Sequence, residues 1–311
     1  MSRPRHTSTI VWFRDDLRLA DNPALKAALD AGRPIVPVFV HETGPDSLRS
    51  LGGAARWWVH GSLEALGAAL RQLGSRLILV EGAALPVLTR LADATGAEEI
   101  VWNRRYHPDA REVDARIKAS LEADGRRARS FNGSLFVEPW DVKTGSGTFY
   151  RVYSPFARAA RQALGPVTPL PAPSGKISTP ATWPESLPLS DLGLRPSKPD
   201  WAGGLRNSWT PGEAAARETL SSFIDERLAH YRTKRDFAAA DATSRLSPYL
   251  RFGEISPRTV WAALPRLAED APGTAERQSA EKFLSEMLLR EFSYHLLYHL
   301  PPLEQVNVQD K

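Results

Sequence analysis

The sequence of 311 residues contains no cysteine. This excludes disulfides, thiolate nucleophiles and cysteine-based metal or iron–sulfur sites, and it weakly favours a reducing cytoplasm. No stretch approaches the ~18 uncharged apolar residues of a membrane-spanning helix. The N-terminus runs into a strand pattern without an apolar signal region. We therefore expect a cytoplasmic monomer that has no membrane partner.

The chain has no strong excess of either charge. Its formal net charge is +4 and its pI about 9.4, which permits a polyanionic partner without requiring one. The hydrophobic fraction of 42% is ordinary for a globular protein and allows a sizeable core. The length is sufficient for two domains.

Short apolar runs alternate with helical patterns in the first third of the chain. This alternation predicts a doubly wound parallel sheet, an α/β fold of Rossmann-like type with both faces covered. The predicted strands are Thr9–Phe13, Pro34–Val40, Arg76–Val80, Glu99–Trp102 and Ala128–Phe131. The predicted helices are Asn22–Ala31, Ala54–Leu73, Leu85–Ala94 and Asp109–Ala123.

The turn after the first strand lacks glycine. A dinucleotide-binding Rossmann domain has a Gly-rich turn there, with the GxGxxG pattern. Here the strand leads into Arg14-Asp15-Asp16-Leu17-Arg18. A dehydrogenase is therefore a poor interpretation, and no pyrophosphate is expected at the usual place.

Proline divides the chain. Nine of the 25 prolines lie between Pro166 and Pro199, which predicts an extended, surface-draped linker. We predict an α/β domain at residues 1–135, a Pro-rich linker at 136–205, and the first part of an incomplete all-α domain at 206–311. Thr210-Pro211-Gly212-Glu213 has the form of a capping box that starts the first helix of this domain.

A run of hydroxyl residues, Thr243-Ser244-Arg245-Leu246-Ser247-Pro248, follows in the helical part. Ser247 before Pro248 is typical of an N-cap with proline at the first helical position. A helix start with hydroxyl and backbone donors suits a phosphate, which favours a phosphorylated cofactor. The alternative is a short helix that ends near Gly253 and binds nothing.

The last predicted helix, 281–300, carries Phe283, Glu286 and Arg290 on one face. Glu286 and Arg290 have the i, i+4 spacing of an ion pair. The alternative is an ordinary surface pair worth a few tenths of a kcal/mol. Apolar neighbours argue against that alternative, because charged side chains in an apolar helix need a ligand or each other.

The segment Tyr231–Phe237 is basic, with an aromatic residue at each end. This mixture suits contacts to a phosphate backbone together with stacking on bases. A solvated helix end is equally compatible with it. His295 and His299 have the spacing of a metal pair, but no third ligand is evident, and no metal site is predicted.

Several ordered segments together resemble the photolyase/cryptochrome family of blue-light flavoproteins. The subgroup most similar to this chain is taken to be the bacterial class I cyclobutane-dimer photolyases. The segments are Ile10-Val11-Trp12-Phe13-Arg14-Asp15-Asp16-Leu17-Arg18 with Asp21-Asn22-Pro23, Trp102-Asn103-Arg104-Arg105-Tyr106, Tyr153-Ser154-Pro155-Phe156, Tyr231 with Arg235-Asp236-Phe237, Thr243–Leu250, and Gly253-Glu254-Ile255-Ser256-Pro257-Arg258.

The resemblance implies an antenna domain, a helical domain that holds FAD, and a carbon–carbon lyase that repairs cyclobutane pyrimidine dimers in UV-damaged DNA by light-driven electron transfer. It assigns Glu286 the catalytic role of binding the dimer. Contacts to DNA are implied for Arg235, Glu286, Leu289 and Arg290. Contacts to FAD are implied for Tyr231, Thr243, Ser244, Arg245, Leu246, Ser247, Phe283 and Arg290.

Three departures from the family pattern change what is expected. Leu289 stands where dimer photolyases place a tryptophan, the chain stops at Lys311, and no tryptophan follows Trp261. We therefore expect a truncated chain that binds FAD poorly. Asp109-Ala110 disfavours a folate antenna weakly and leaves a deazaflavin, a flavin or no antenna open. The alternatives to repair are a cryptochrome-like photosensor and a cofactor-free remnant.

Overall fold

Five parallel strands form the centre of the N-terminal half in the computed structural model, which describes residues 7–44, 48–264, 274–300 and 303. The strand order is β3-β2-β1-β4-β5, so the order reverses between β1 and β4. This sheet confirms the predicted fold class. The strands are β1 (Ser8–Phe13), β2 (Ile35–Glu42), β3 (Ile78–Gly82), β4 (Ala97–Asn103) and β5 (Arg127–Phe131).

Four helices cover both faces of the sheet. Alternate residues of β1 point to opposite sides, so that Trp12 packs in a core with α3 and α4, whereas Phe13 packs with α1, α2 and the second half of the chain. Asn22 caps α1, because its side chain accepts a hydrogen bond from the Leu25 amide at 3.0 Å. The helices are α1 (Pro23–Asp30), α2 (Gly53–Gln72), α3 (Ala84–Thr95) and α4 (Pro108–Ala123).

The segment predicted as a linker, 136–205, contains helix α5 (Tyr153–Leu164), whose Phe156 is buried. After α5 the chain is extended and bonds to the α/β half. The amide of Ile35 donates to the Ser178 carbonyl at 2.8 Å, and the amide of Ile177 donates to the Leu73 carbonyl at 2.9 Å. The proline-rich part is therefore attached along the sheet and its helices. The domain bounds themselves stay a prediction.

The second half is helical, as predicted. Its helices are α6 (Gly203–Ser208), α7 (Glu213–Ser222), α8 (Leu228–Lys234), α9 (Ser247–Arg251), α10 (Pro257–Ala263) and α11 (Ala275–His299), with a π-helical turn (Phe223–Arg227) between α7 and α8. Within the described residues, none of the helices has the length and apolarity needed to cross a membrane.

The predicted capping box at the start of α7 is wrong. The N-cap of α7 is Gly212, and no side chain bonds to the cap. Glu213 instead accepts hydrogen bonds from the amides of Leu19 and Ala20 at 2.7 and 3.2 Å. Glu213 therefore bonds to the distant loop at residues 19–20, whereas the local pattern predicted a bond to the N-terminus of its own helix.

The loop after β1 joins the two halves of the chain. Buried Arg18 donates to the carbonyls of Gly253 at 2.9 Å and Gly133 at 2.6 Å. Gly253 has a φ of +65°, and a Cβ on it would lie 2.1 Å from the carbonyl oxygen of Asp15. The glycine-free turn that argued against dinucleotide binding is thus a packing surface for the helical half.

Candidate functional site

Helices α8 and α11 pack against each other and bring two of the predicted cofactor residues together. The rings of Tyr231 and Phe283 meet edge to face, with centroids 5.2 Å apart, and both side chains are buried. Phe223, from the π-helical turn, lies 4.8 Å from Phe283 and 5.6 Å from Tyr231. The three rings form a rigid wall behind the polar residues of α11.

Glu286, the predicted catalytic residue, lies at the edge of this wall between two cations. Arg235 Nη1 is 2.5 Å and Lys282 Nζ is 2.8 Å from its Oε1. Partial burial acts to raise the pKa of Glu286, but the hydrogen bonds from Lys282 and Arg235 outweigh it and lower the pKa below its ordinary value. The carboxylate is thus ionised and partly accessible.

Arg235 links Glu286 to the aromatic wall. Its Nη1 donates to the Tyr231 hydroxyl at 3.2 Å, and its Nε lies 3.2 Å from Asp236. Arg235 was predicted only as a contact to DNA, and its bonds to Glu286 and Tyr231 were not foreseen. Leu289, one turn after Glu286, is 43% exposed. An accessible apolar side chain therefore lies beside the carboxylate.

The ion pair predicted between Glu286 and Arg290 is not formed, because each residue has other partners. Arg290 Nη1 donates to the Ser134 carbonyl and to Glu291 Oε1, both at 3.0 Å. Glu291 is buried and also accepts the Phe136 amide at 2.8 Å. Burial raises the pKa of Glu291 to about 7, against the opposing effect of Arg290 and the backbone donors. The pair fastens the 134–137 loop to α11.

The hydroxyl segment before α9 differs from its prediction in one respect. Ser247 is the first residue of the helix rather than its N-cap, which is Leu246, and no side chain bonds to that cap. Thr243 and Ser247 are exposed, whereas Leu246 is buried in the same core as Tyr231 and Phe283. Ser244 is partly buried, and its Oγ accepts from the Leu246 amide at 3.3 Å.

Arg245 has an unusual backbone conformation for a non-glycine residue, with a φ of +57°. Its guanidinium donates to the Ser208 carbonyl at 3.0 Å and lies 4.4 Å from the ring centroid of Trp209. These contacts hold Arg245 against the end of α6, and the hydroxyl residues Thr243 and Ser247 on either side of it are exposed.

A second candidate site, which the sequence did not reveal, lies beyond the carboxyl ends of β4 and β5. It is a crevice of about 200 Å³ between α4, the 136–140 segment and the end of α11. It lies beside β4, one of the two strands between which the strand order reverses, and that junction is the usual place for a ligand on an open parallel sheet. Its lining residues include Trp102, Arg104, Arg105, Tyr106, Arg111, Asp114, Trp140 and Tyr298.

The crevice combines cations with aromatic faces. The Arg111 guanidinium lies 3.8 Å from the ring centroid of Tyr298. The Tyr106 hydroxyl donates to Glu138 at 2.9 Å, and Glu138 also pairs with Arg104. Guanidinium groups and aromatic rings in one crevice suit a planar, negatively charged ligand.

A buried ion network lies beneath the crevice. Asp114 Oδ1 is 2.7 Å from Arg14 Nη1 and 2.8 Å from Arg105 Nη2, and Arg105 Nη1 is 2.6 Å from Glu42. Four of the buried donors here have no hydrogen-bond partner among the described residues. They are the indole nitrogens of Trp12 and Trp102 and the Nε atoms of Arg14 and Arg105. Such donors need an acceptor from water or from a ligand.

The histidines of α11 have partners other than a metal ion. His295 Nε2 accepts the Tyr150 amide at 3.1 Å, and His299 Nε2 lies 3.0 Å from the Pro139 carbonyl. In the part of the chain that the structure describes, three or more potential metal ligands do not come together. We assign no metal role to this pair.

Comparisons with known proteins place this geometry in context. The family model described as DNA photolyase matches residues 9–174. A deoxyribodipyrimidine photo-lyase of Agrobacterium fabrum is 45% identical over 301 residues, which cover 97% of this chain and 61% of that protein. Cryptochrome-1 of Arabidopsis thaliana is 34% identical over 302 residues, which cover 94% of this chain and 43% of that protein.

A solved structure is similar to this chain in fold as well as in sequence. A bacterial class III photolyase from Agrobacterium tumefaciens superposes with a TM-score of 0.92 at 44% identity, covering 99% of this chain and 62% of that one. The chain thus spans about three fifths of the length of the Agrobacterium photolyases it matches. This similarity corrects the predicted class I subgroup in favour of class III.

Proposed function

The chain belongs to the DNA photolyase family, and from that premise we propose that it acts in the light-driven repair of cyclobutane pyrimidine dimers, in a protein of the class III type. The observation that carries the proposal is the placement of Glu286. Its ionised carboxylate lies between Arg235 and Lys282, beside exposed Leu289 and in front of the Tyr231–Phe283 wall.

FAD is the cofactor we propose for the helical half. The exposed hydroxyls of Thr243 and Ser247, with Ser244 and Arg245 beside them, fit its phosphates, while Tyr231, Leu246 and Phe283 supply apolar wall. Reduced FAD, when bound, supplies the electron that light transfers to the lesion. Arg290 is already bonded to Glu291 and Ser134, so we assign it the task of holding α11 in place at the pocket.

UV-damaged DNA is the proposed partner. Glu286 offers an acceptor to a flipped-out pyrimidine dimer, and Arg235 adds positive charge without reading sequence. Leu289 offers apolar contact but no aromatic stacking. Because stacking on an aromatic residue is worth ~1–3 kcal/mol per base, we expect lesion capture about tenfold weaker than with tryptophan.

A second chromophore in the crevice beyond β4 is a further part of this proposal. The arginines and aromatic rings there fit a planar, anionic compound. Folate, deazaflavin and flavin all have this chemistry. A crevice of about 200 Å³ is smaller than ordinary ligand sites of ~300–1,000 Å³.

The repair assay tests the proposal on Glu286. With reduced FAD in large excess, because the chain is expected to bind FAD poorly, and a dimer-containing oligonucleotide, the chain should give repaired product in blue light and none in darkness. Glu286→Gln should lower the yield by about tenfold or more, because one charge-assisted hydrogen bond contributes ~1.5–3 kcal/mol. The matched control is Glu281→Gln, an exposed residue on the same helix. Equal yields in light and dark would reject repair.

A cryptochrome-like photosensor is the second candidate function. Leu289 in place of a stacking tryptophan and the 34% identity to a plant cryptochrome favour it. The sensor should bind damaged and undamaged DNA equally while its flavin changes redox state in light. A third candidate, a cofactor-free interaction module, predicts a colourless protein whose melting temperature does not respond to FAD.

A further inference from the structure

We propose that Lys282 is a positioning residue that, together with Arg235, fixes the Glu286 carboxylate as a hydrogen-bond acceptor for the lesion. The inference rests on the proposed role of Glu286. The sequence analysis considered only Arg290 as a partner of Glu286 and passed over Lys282, which lies one turn before Glu286 on the exposed side of α11.

The contacts of Glu286 converge on one oxygen. Lys282 Nζ at 2.8 Å and Arg235 Nη1 at 2.5 Å both make their shortest contact with Oε1. Arg235 is itself held by the Tyr231 hydroxyl and by Asp236. The carboxyl group is therefore clamped from its own helix and from the end of α8, and Oε2 is the oxygen that the two cations engage least.

The Lys282–Glu286 pair is more shielded than three of the other four i, i+4 ion pairs among the described residues, and only Arg217–Glu213 is shielded to a similar degree. The acidic side chains of the pairs Lys26–Asp30 and Arg277–Glu281 are 60% and 57% exposed, whereas that of Glu286 is 25% exposed. Solvent screens the first two strongly. The pair of Lys282 with Glu286 is partly shielded and shares its oxygen with a second cation, so its effect on the carboxylate is larger.

An acceptor fixed in this way determines what the site recognises. An ionised carboxylate has no proton to donate, so Oε2 bonds only to a donor such as the imide N–H of a thymine ring. The charged groups bonded to Glu286 are Lys282 from α11 and Arg235 from the end of α8, and Arg235 is in turn bonded to Asp236 and to the Tyr231 hydroxyl. Among them Lys282 can be changed without disturbing the aromatic wall.

The first test measures the ionisation of Glu286 without cofactor, light or DNA. In the whole chain labelled with ¹³C-glutamate, the Glu286 signal is assigned by its loss in Glu286→Gln and followed against pH. Lys282→Gln should shift its titration midpoint upward, Lys282→Arg should restore it, and Arg277→Gln, the matched control on α11, should leave it unchanged. An unchanged midpoint in Lys282→Gln would overturn the proposal.

The second test separates positioning from direct contact with DNA. Lys282→Gln should weaken binding of a dimer-containing oligonucleotide by at least about twofold, the effect of one ordinary i, i+4 pair, and leave undamaged DNA unaffected. Equal losses on both DNAs, with a reduced salt dependence, would show a phosphate contact and refute the assignment. If the parent chain repairs no dimers, the repair proposal fails while the titration still decides on Lys282.

Discussion

Replacing Gly253 with alanine tests whether the two halves are locked together at the loop after β1. The new Cβ would lie 2.1 Å from the Asp15 carbonyl oxygen and 2.5 Å from the Asp16 Cα, both backbone atoms that cannot move aside cheaply. A left-handed φ of +65° adds ~1–2 kcal/mol for a non-glycine residue, and the overlap adds a further ~1–3 kcal/mol. We expect Gly253→Ala to lower the free energy of unfolding by about 2–5 kcal/mol.

Gly96→Ala is the matched control. Gly96 has a similar φ of +62°, but nothing lies within 4 Å of the position that a Cβ would take. This variant should lose only the backbone contribution of ~1–2 kcal/mol. Urea unfolding followed by tryptophan fluorescence measures both variants. If the two variants lose the same free energy of unfolding, the close approach of Gly253 to Asp15 adds no strain. That result would refute the idea that this contact holds the two halves together.

Three further predictions concern the exposed Leu289, the buried carboxyl group of Glu254 and the crevice beyond β4. Leu289→Trp should strengthen binding of dimer-containing DNA about tenfold and leave the affinity for undamaged DNA unchanged, because the side chain is exposed and stacking is worth ~1–3 kcal/mol. A fluorescence titration measures both affinities. An unchanged affinity for the dimer would place Leu289 away from the DNA. Burial raises the pKa of Glu254 to about 7, so the folded state retains a proton that the unfolded state releases near pH 4.5. The free energy of unfolding should therefore fall by roughly 3 kcal/mol as the pH rises from 4.5 to 7. Glu254→Gln should flatten that slope in thermal unfolding scans, and a slope equal to that of the parent chain would contradict the assignment. Arg111→Gln should weaken binding of a folate or flavin probe in the crevice severalfold, measured by fluorescence quenching, whereas Arg90→Gln on the surface of α3 should not.

The sheet could be predicted from the sequence because its signals are local. Runs such as Ile35-Val36-Pro37-Val38-Phe39-Val40 are buried on both faces of a parallel sheet and so are apolar throughout. The helices between the strands carry their own start and stop signals, of which Asn22 before Pro23 is one. All five strands and the four helices of the α/β half were found within a few residues of their bounds.

Pairings between distant residues could not be predicted. Spacing indicated that Glu286 pairs with Arg290 and that Glu213 caps its own helix, yet both carboxylates bond to groups far away in the sequence. Spacing along one helix identifies only the partners on that helix. It does not identify an ion-pair or hydrogen-bond partner that another element brings close in the fold. Lys282 has the same i, i+4 spacing on the N-terminal side of Glu286. It could have been predicted as a partner from the sequence but was overlooked.

The crevice was beyond sequence reasoning for a different reason. Trp12, Arg14, Glu42, Trp102 and Asp114 are scattered over about a hundred residues and meet only because β1 lies next to both β2 and β4. That neighbourhood depends on the strand order, which alternation of strands and helices does not determine. Family motifs marked Trp12, Arg14 and Trp102 without indicating that they share a site.

Helix α11 runs from one candidate site to the other. Tyr298 lines the crevice, and Glu286 lies twelve residues earlier on the same helix, about 18 Å away at 1.5 Å per residue. Buried Glu291 fixes the middle of the helix to the 134–137 loop, and Ser285 bonds to the Tyr153 hydroxyl of α5 at 2.7 Å. A ligand in the crevice and a lesion at Glu286 would therefore be held at a similar separation, because a shift of this helix would break the buried bond of Glu291 and the partly buried bond of Ser285.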